Sequence, residues 1–500
     1  LHLLDTVGEA PHAQARALEL QGTQEPRLGA GPGDVEGQTG GARASESAGH
    51  HGQGSQIGAA TGRDREGALA EQGVREGVLL GAVVEGEKFR FHTFPVNQLF
   101  GVQNGFPSFM ESTHQIDSVG DAEDYVARLN AVGVKFDQVL EGLRRRDELG
   151  IHPPQFVVTK VLEEMRGFIA TPPEEGILMV SLLDKMDRAG LAESEQERVA
   201  QAARAAIEQT VYPAYGRLID HFVALDAKVD GNYGAWSLPD GDAYYRLALR
   251  LMTTTDYEPR YIHELGRSEV DRIQGEILAI LAAEGWDVSG GFTAAIGEVA
   301  DHPRFYYSDS VEGREQILAD YRALIEEVNQ KMEPWFATIP EAAVDVKRVP
   351  EFKEKTAPGG YYEMPAMDGS RPGVFYANLY DIKATPKYSM RTLAYHEAIP
   401  GHHFQFARFI ESPSLHPAQV RFGVTAYLEG WGLYTERLAD EMGLYSGDLA
   451  RVGMLAADSM RACRLVVDTG MHALGWSRRA AIDFMVANSP LDPALIEGEV

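Results

Sequence analysis

Cysteine is nearly absent from this chain: Cys463 is the only one among 500 residues. A single thiol closes no internal disulfide. It also excludes a cysteine-built zinc cluster, so any zinc here must be held by imidazole and carboxylate. Long apolar runs are missing too, and none approaches the roughly 20 residues a membrane-spanning helix needs. The opening Leu1-His2-Leu3-Leu4 meets Asp5 at once, so no apolar secretory core is visible. The chain does not begin with Met, so its native N-terminus is expected to lie upstream, and both a cytoplasmic and an exported setting stay open. Positive charge is in deficit, with 46 Lys and Arg against 74 Asp and Glu for a net charge of −28. So acidic a surface repels nucleic acid and anionic membrane, and neither is an expected partner. No phosphate-cradling glycine motif and no repeat of fixed period stands out. Aromatic residues are missing before Phe89. Residues 1–88, rich in Gly, Ala, Gln and Ser, bury too little apolar surface to offset their ordering entropy, so they are expected to be disordered or foreign to the rest. His50 and His51 within them read as solvated histidines rather than metal ligands.

From Phe89 onward the texture is different. The chain is 44% hydrophobic, ample for a large core. Residues 89–340 read as a helical region. Val126, Leu129, Val132, Phe136, Val139 and Leu143 recur at spacings of three and four, which predicts a helix over 121–149. Similar stripes predict helices after Pro153-Pro154, over 194–225, 264–283 and 314–336, with Asp240 capping another. After Pro340 the pattern changes. Residues 343–349 alternate like a strand, a Gly/Pro-rich passage comes next, and Val374 to Tyr380 predicts a second strand whose edge could align a substrate backbone. Helices are then expected at 389–411, 417–442, 446–472 and 477–487. The fold class is thus mainly α, with a small β-sheet beside a His-Glu motif at position 396, and residues 341–500 carry the candidate chemistry.

That motif is Tyr395-His396-Glu397-Ala398-Ile399-Pro400-Gly401-His402-His403. A zinc helix usually spaces its histidines at i and i+4. Here Pro400 stands at i+4. On a straight helix His402 falls about 240° round from His396, and His403 about 10.5 Å along the axis. Pro400 lacks an N–H and clashes with the preceding turn, and Gly401 tolerates unusual backbone angles. A bulge there would absorb two residues and return His402 to the face of His396. His396 and His402 are therefore the expected ligands, with His403 as the alternative second ligand or a substrate-binding group. Glu397 would lie beside a metal-activated water as general base. Glu429, on the following helix in Glu429-Gly430-Trp431-Gly432-Leu433-Tyr434, is the expected third ligand. Glu436 is the second choice, or the group that orients a ligand histidine. Further along, Arg461, Arg464, Asp468 and His472 share one helical face. An exposed ion-pair ladder and a cavity lining both fit that row. In the second case His472 would stabilise an oxyanion and Arg461 or Arg464 would hold a peptide carboxylate.

These residues resemble the bacterial proteins grouped as domain of unknown function 885, whose hallmarks are HExxPGH, an EGWxxY-type helix and an R-x-x-R-x-x-x-D-x-G-x-H-type helix. The likeness runs from about Phe91 to the end and includes Phe94 to Leu99 and Asp368 to Gly373. It implies a helical zincin-like protein, similar in plan to gluzincins such as angiotensin-converting enzyme and carboxypeptidase Taq. Dipeptidyl peptidase III, with one extra residue in its zinc motif, is a precedent for an altered zinc helix. Family members often carry export signals. They also continue past Val500 through helices with a Tyr-bearing segment, so this chain is expected to be a fragment.

The expected activity is that of a zinc metallopeptidase cleaving short peptides, with one Zn2+ per chain. Glu397 would act as base, and His472 or Tyr434 (or Tyr361 or Tyr376) would steady the oxyanion. Tyr376, Asn378, His403, Arg461 and Arg464 would contact substrate. The alternatives are a catalytically silent helical binding protein and a metal-dependent amidase or esterase acting on a non-peptide substrate, which the same chemistry would serve.

Overall fold

The computed structural model describes residues 85–229, 231, 234–351, 354, 357–412, 424–447, 449–491 and 493–500. Those from Phe89 onward belong to one structural unit, while Glu85–Lys88 belong to a second whose remainder lies outside the described residues. His50 and His51 also lie outside them.

The first half of the main unit is built from α1 (Val102–Ser108), α2 (Val119–Glu148), α3 (Gln155–Ala170), α4 (Ile177–Arg188), α5 (Glu193–Ala206) and α6 (Tyr212–Asp226). Ser118 starts α2 by accepting from the Asp121 amide and donating to the Asp121 carboxylate, so one short side chain serves two groups at the helix end. The apolar stripe of α2 then buries Tyr125, Leu129, Val132, Phe136, Leu140 and Leu143 against α5 and α6. The helix expected over 194–225 is in fact α5 and α6, joined by a π turn at Ile207–Val211.

A second core begins at Val270 and runs to the last residue. Its helices are α8 (Pro259–Ala283), α9 (Phe292–Ala300) and α10 (Val311–Asn329), preceded by α7 (Gly241–Thr253). Asp240 stands at the α7 N-cap position but in the left-handed region, φ 52°, and its side chain makes no capping bond, contrary to expectation. Three strands come next: β1 (Val344–Arg348), β2 (Gly360–Glu363) and β3 (Gly373–Ala377). Their order is β1-β3-β2, with β1 parallel and β2 antiparallel to β3. β3 is therefore the central strand, and its backbone groups face two partners. The substrate edge expected from it is not available, because both of its sides are already paired.

The last section comprises α11 (Lys387–Glu397), α12 (His402–Glu411), α13 (Thr425–Glu441), α14 (Ala450–Ala473), α15 (Arg478–Asn488) and α16 (Pro493–Glu499). Of the helix expected over 417–442, residues 417–423 lie outside the described residues. The buried helix α14 is the axis of this half and packs along α8, α11 and α15. Among the described residues, no helix is long and apolar enough to cross a membrane.

Candidate metal centre

The motif helix is broken rather than bulged. α11 ends at Glu397, Ala398 leaves helical geometry (φ −108°, ψ −101°), and α12 starts at His402. The corner frees backbone carbonyls that a continuous helix would have satisfied. Trp431 on α13 takes up Pro400 O, its indole N–H donating at 2.9 Å, and also lies 3.2 Å from Gly401 O, which accepts from the Gln405 amide at 3.0 Å. Gly401 is needed for space: a Cβ there would stand 1.8 Å from the His396 carbonyl oxygen and 2.3 Å from that of Tyr395.

This corner, not an i+4 repeat, brings the histidines together. The rings of His396 and His402 lie 4.6 Å apart and nearly perpendicular, at 82°. Glu429 of α13 faces both, with one carboxylate oxygen 3.4 Å from His396 Nε2 and the other 3.7 Å from His402 Nε2. One ligand atom from each residue lies within 4.8 Å of those from the other two. Both histidines are buried, whereas the Glu429 side chain is 58% exposed, so the cluster opens to solvent on that side.

Behind His396 the partners are all internal. Its Nδ1–H donates to Glu436 Oε1 at 2.8 Å, which leaves Nε2 turned toward Glu429. Glu436, 1% exposed, also accepts from Arg461 Nη2 at 2.9 Å and from the Thr392 hydroxyl at 3.3 Å. A buried carboxylate needs such donors and a counter-charge to remain ionised. Gly432, one turn before Glu436, makes room for the imidazole: a Cβ there would stand 2.5–2.9 Å from three atoms of the His396 ring.

Electrostatics follow the packing. Burial pushes the His396 imidazole down, but its hydrogen bonds to Glu429 and Glu436 outweigh burial and hold it at about 9. Burial lowers His402 to about 4, aided by the neighbouring His396 charge. Desolvation by the surrounding cluster works against the Glu429 carboxylate, yet the His396 hydrogen bond and the two imidazoles hold it at about 2. Glu397 is buried beside the cluster, and desolvation raises it to about 7. A metal would compete with the proton on His396, since only neutral imidazole ligates.

The donor set fits a metal. Two imidazoles and a carboxylate leave a fourth position open, the pattern of catalytic rather than structural zinc sites. His402 Nδ1 is buried with no hydrogen-bond partner among the described residues, while Gly432 and Glu436 hold His396 in place.

The other expected site residues scatter. His403 is 1% exposed and already satisfied: its Nε2–H donates to Ala342 O and its Nδ1 accepts from the Tyr362 hydroxyl, both at 2.9 Å. It staples α12 to β2 and offers no lone pair to a metal or substrate. Asn378 gives its amide to the carbonyls of Glu354, Ala357 and Pro358 and accepts from the Tyr380 amide, so it braces a loop. Tyr376 is buried, stacked on Tyr361 at 4.9 Å. Tyr434 is exposed against Trp431, about 140° round α13 from Glu429. Arg464 pairs with Glu499 at 2.6 Å, away from the cluster. Only Arg461 of the two arginines reaches the triad, its Nη2 lying 2.9 Å from both Glu436 Oε1 and His396 Nδ1.

His472 lies about 16 Å of helix rise beyond Arg461, and no hydrogen bond, ion pair or ring contact joins it to the triad among the described residues. Its Nδ1 accepts from the Ala235 amide at 3.0 Å and its ring lies against Tyr245, whose hydroxyl donates to Asp468 at 2.5 Å. The supporting roles of Trp431, Gly432 and Thr392 were not foreseen. The spacing Glu429-Gly430-Trp431-Gly432 was the available signal, since a glycine one turn from a carboxylate suggests close approach.

A predominantly helical protein with a His, His, Glu cluster at a helix corner is thus defined. The chain belongs to the family described as "Bacterial protein of unknown function (DUF885)", which it matches over residues 48–500. The match begins well before Phe91, so part of the segment read as foreign is covered by the family. The chain is also similar to a crystal structure from Colwellia psychrerythraea described as "the putative lipoprotein", with 33% identity and a TM-score of 0.78 over 81% of this chain and 70% of that one. No functionally curated protein matches the chain.

Proposed function

We propose that this protein is a metal-dependent hydrolase of the zincin type, acting on short peptides, with His396, His402 and Glu429 as ligands and Glu397 as general base. The observation that carries this is the convergence of those three side chains across the α11–α12 corner, with Glu397 adjacent and the Glu429 side open to solvent. A bound zinc would supply Lewis-acid polarisation and lower the pKa of a coordinated water toward neutrality. The protein contributes the rest. Glu436 accepts the Nδ1 proton of His396 and so favours the tautomer that presents Nε2, while Arg461 supplies the counter-charge to Glu436. Glu397, raised to about 7 by burial, is poised to take a proton and return it near neutral pH. The description of the Colwellia neighbour favours an exported setting.

The test is metal analysis together with hydrolysis of a short-peptide library by the full chain and by Glu397→Gln. Near-stoichiometric zinc in both, with turnover falling by at least about a hundredfold in the variant, is the expected result. Unchanged turnover in Glu397→Gln removes it as base, and wild-type protein that binds no metal refutes the assignment.

A further inference from the structure

α12 carries more than a ligand. His402, Phe406 and Phe409 recur at spacings of four and three and therefore share one face, whereas Phe404 and Ala407 turn into the core. The Phe406 ring lies 6.4 Å from that of His402 and 6.0 Å from Phe409. Phe406 is stacked on Tyr362 of β2 (6.0 Å, 26°), and Phe409 on Tyr427 of α13 (6.0 Å, 24°). Four rings thus form a continuous aromatic wall that begins at a metal ligand. It is not sealed into the core: Phe406 and Phe409 are half-buried and Tyr427 is 54% exposed. Tyr427 opens α13 about 160° round the helix from Glu429, so the wall meets the cluster through His402 and Phe406 rather than through Tyr427.

Ligand sites are characteristically apolar and aromatic surfaces around a few convergent polar groups. A carbonyl placed at the triad puts its flanking side chain one residue away, within the reach spanned by the His402–Phe406 separation. A protein partner seated on the same rings would cover Glu429 instead of using it.

We propose that this wall is the subsite for a bulky apolar side chain, so that the centre selects short peptides with an aromatic or large aliphatic residue beside the bond to be cut. The proposal rests on the hydrolase reading for its substrate, but its test is a binding measurement. Zinc-loaded full-length protein is titrated with glycine hydroxamate and with phenylalanine hydroxamate, which share the chelating group and differ by the benzyl side chain. The phenylalanine form binds at least about tenfold more tightly, within the range an apolar subsite provides. In Phe406→Ser and in Phe409→Ser that ratio falls toward one. Equal affinities in the wild type, binding by neither hydroxamate, or a ratio unchanged in both variants overturns the subsite. Preference without hydrolysis of any peptide counts against the hydrolase alone, and hydrolysis without preference counts against the wall alone.

Discussion

Two glycines two residues apart on α13 should behave oppositely when replaced by alanine. At Gly432 the new Cβ would stand 2.5 Å from Cε1, 2.7 Å from Nδ1 and 2.9 Å from Nε2 of His396. Carbon contacts settle at about 3.5–4.0 Å, so the ring must retreat by about 1 Å. It has nowhere to retreat without stretching the 2.8 Å bond to Glu436. Overpacking of this kind costs about 1–3 kcal/mol, and alanine in a helix interior recovers about 1 kcal/mol over glycine. The net loss, about 0–2 kcal/mol, leaves the protein folded. Metal binding is far less tolerant, because zinc–nitrogen bonds hold to about 2.0–2.1 Å. Gly432→Ala should lower zinc affinity at least about 10–100-fold, the loss typical when the support of a ligand is removed. At Gly430 an added Cβ meets nothing within 4 Å, so Gly430→Ala should stabilise by about 1 kcal/mol and bind zinc as the wild type does. Urea unfolding gives the stabilities, and competition with a chromophoric chelator gives the affinities. Wild-type zinc affinity in Gly432→Ala, or its loss in Gly430→Ala, would show that Gly432 does not cradle the imidazole.

Three further outcomes are expected. Glu436→Gln should weaken zinc binding about 10–100-fold, because the carboxylate that receives His396 Nδ1–H is lost; a chelator competition showing no change refutes this. Trp431→Phe should destabilise by about 1–3 kcal/mol in urea, since the Pro400 carbonyl at the corner loses its donor while Gly401 O keeps the Gln405 amide; a change under about 0.5 kcal/mol would mean that the indole is not the main partner of Pro400 O. His472 is held neutral by burial, at about 4, below the ordinary imidazole value of 6.5. The unfolded chain therefore binds this proton first on acidification, and stability present above pH 6.5 is lost as pH falls toward 4, by about 3 kcal/mol for this group. The stability curve of His472→Gln should be correspondingly flatter over that window, and parallel curves would rule the effect out.

The helices were legible because burial imposes a 3.6-residue rhythm on sequence, as in α2 and α14. So was the presence of a small sheet before the motif. What was not legible depended on partners distant in the chain. β2 is four residues, Gly360–Glu363, inside a Gly/Pro-rich passage, too short to show alternation. It is also what turns β3 from an edge into the centre. The Pro-Gly signal announced a distortion but not its kind: Trp431, some thirty residues later, is what allows a full corner with the Pro400 carbonyl satisfied. Whether His402 or His403 faces the ligands is decided by Tyr362 and Ala342, which occupy both nitrogens of His403. Arg461 and Arg464 are indistinguishable by spacing, and they part company only because Glu436 waits beside one and Glu499 beside the other.

The corner between α11 and α12 has a consequence for how such centres are read. When both histidines ride one helix, the pitch of about 5.4 Å ties their separation in sequence to their separation in space. Here each imidazole is carried by its own rod, and the angle between the rods sets the gap. The count of intervening residues then measures the length of a joint, and two chains with different counts can present the same pair of nitrogens.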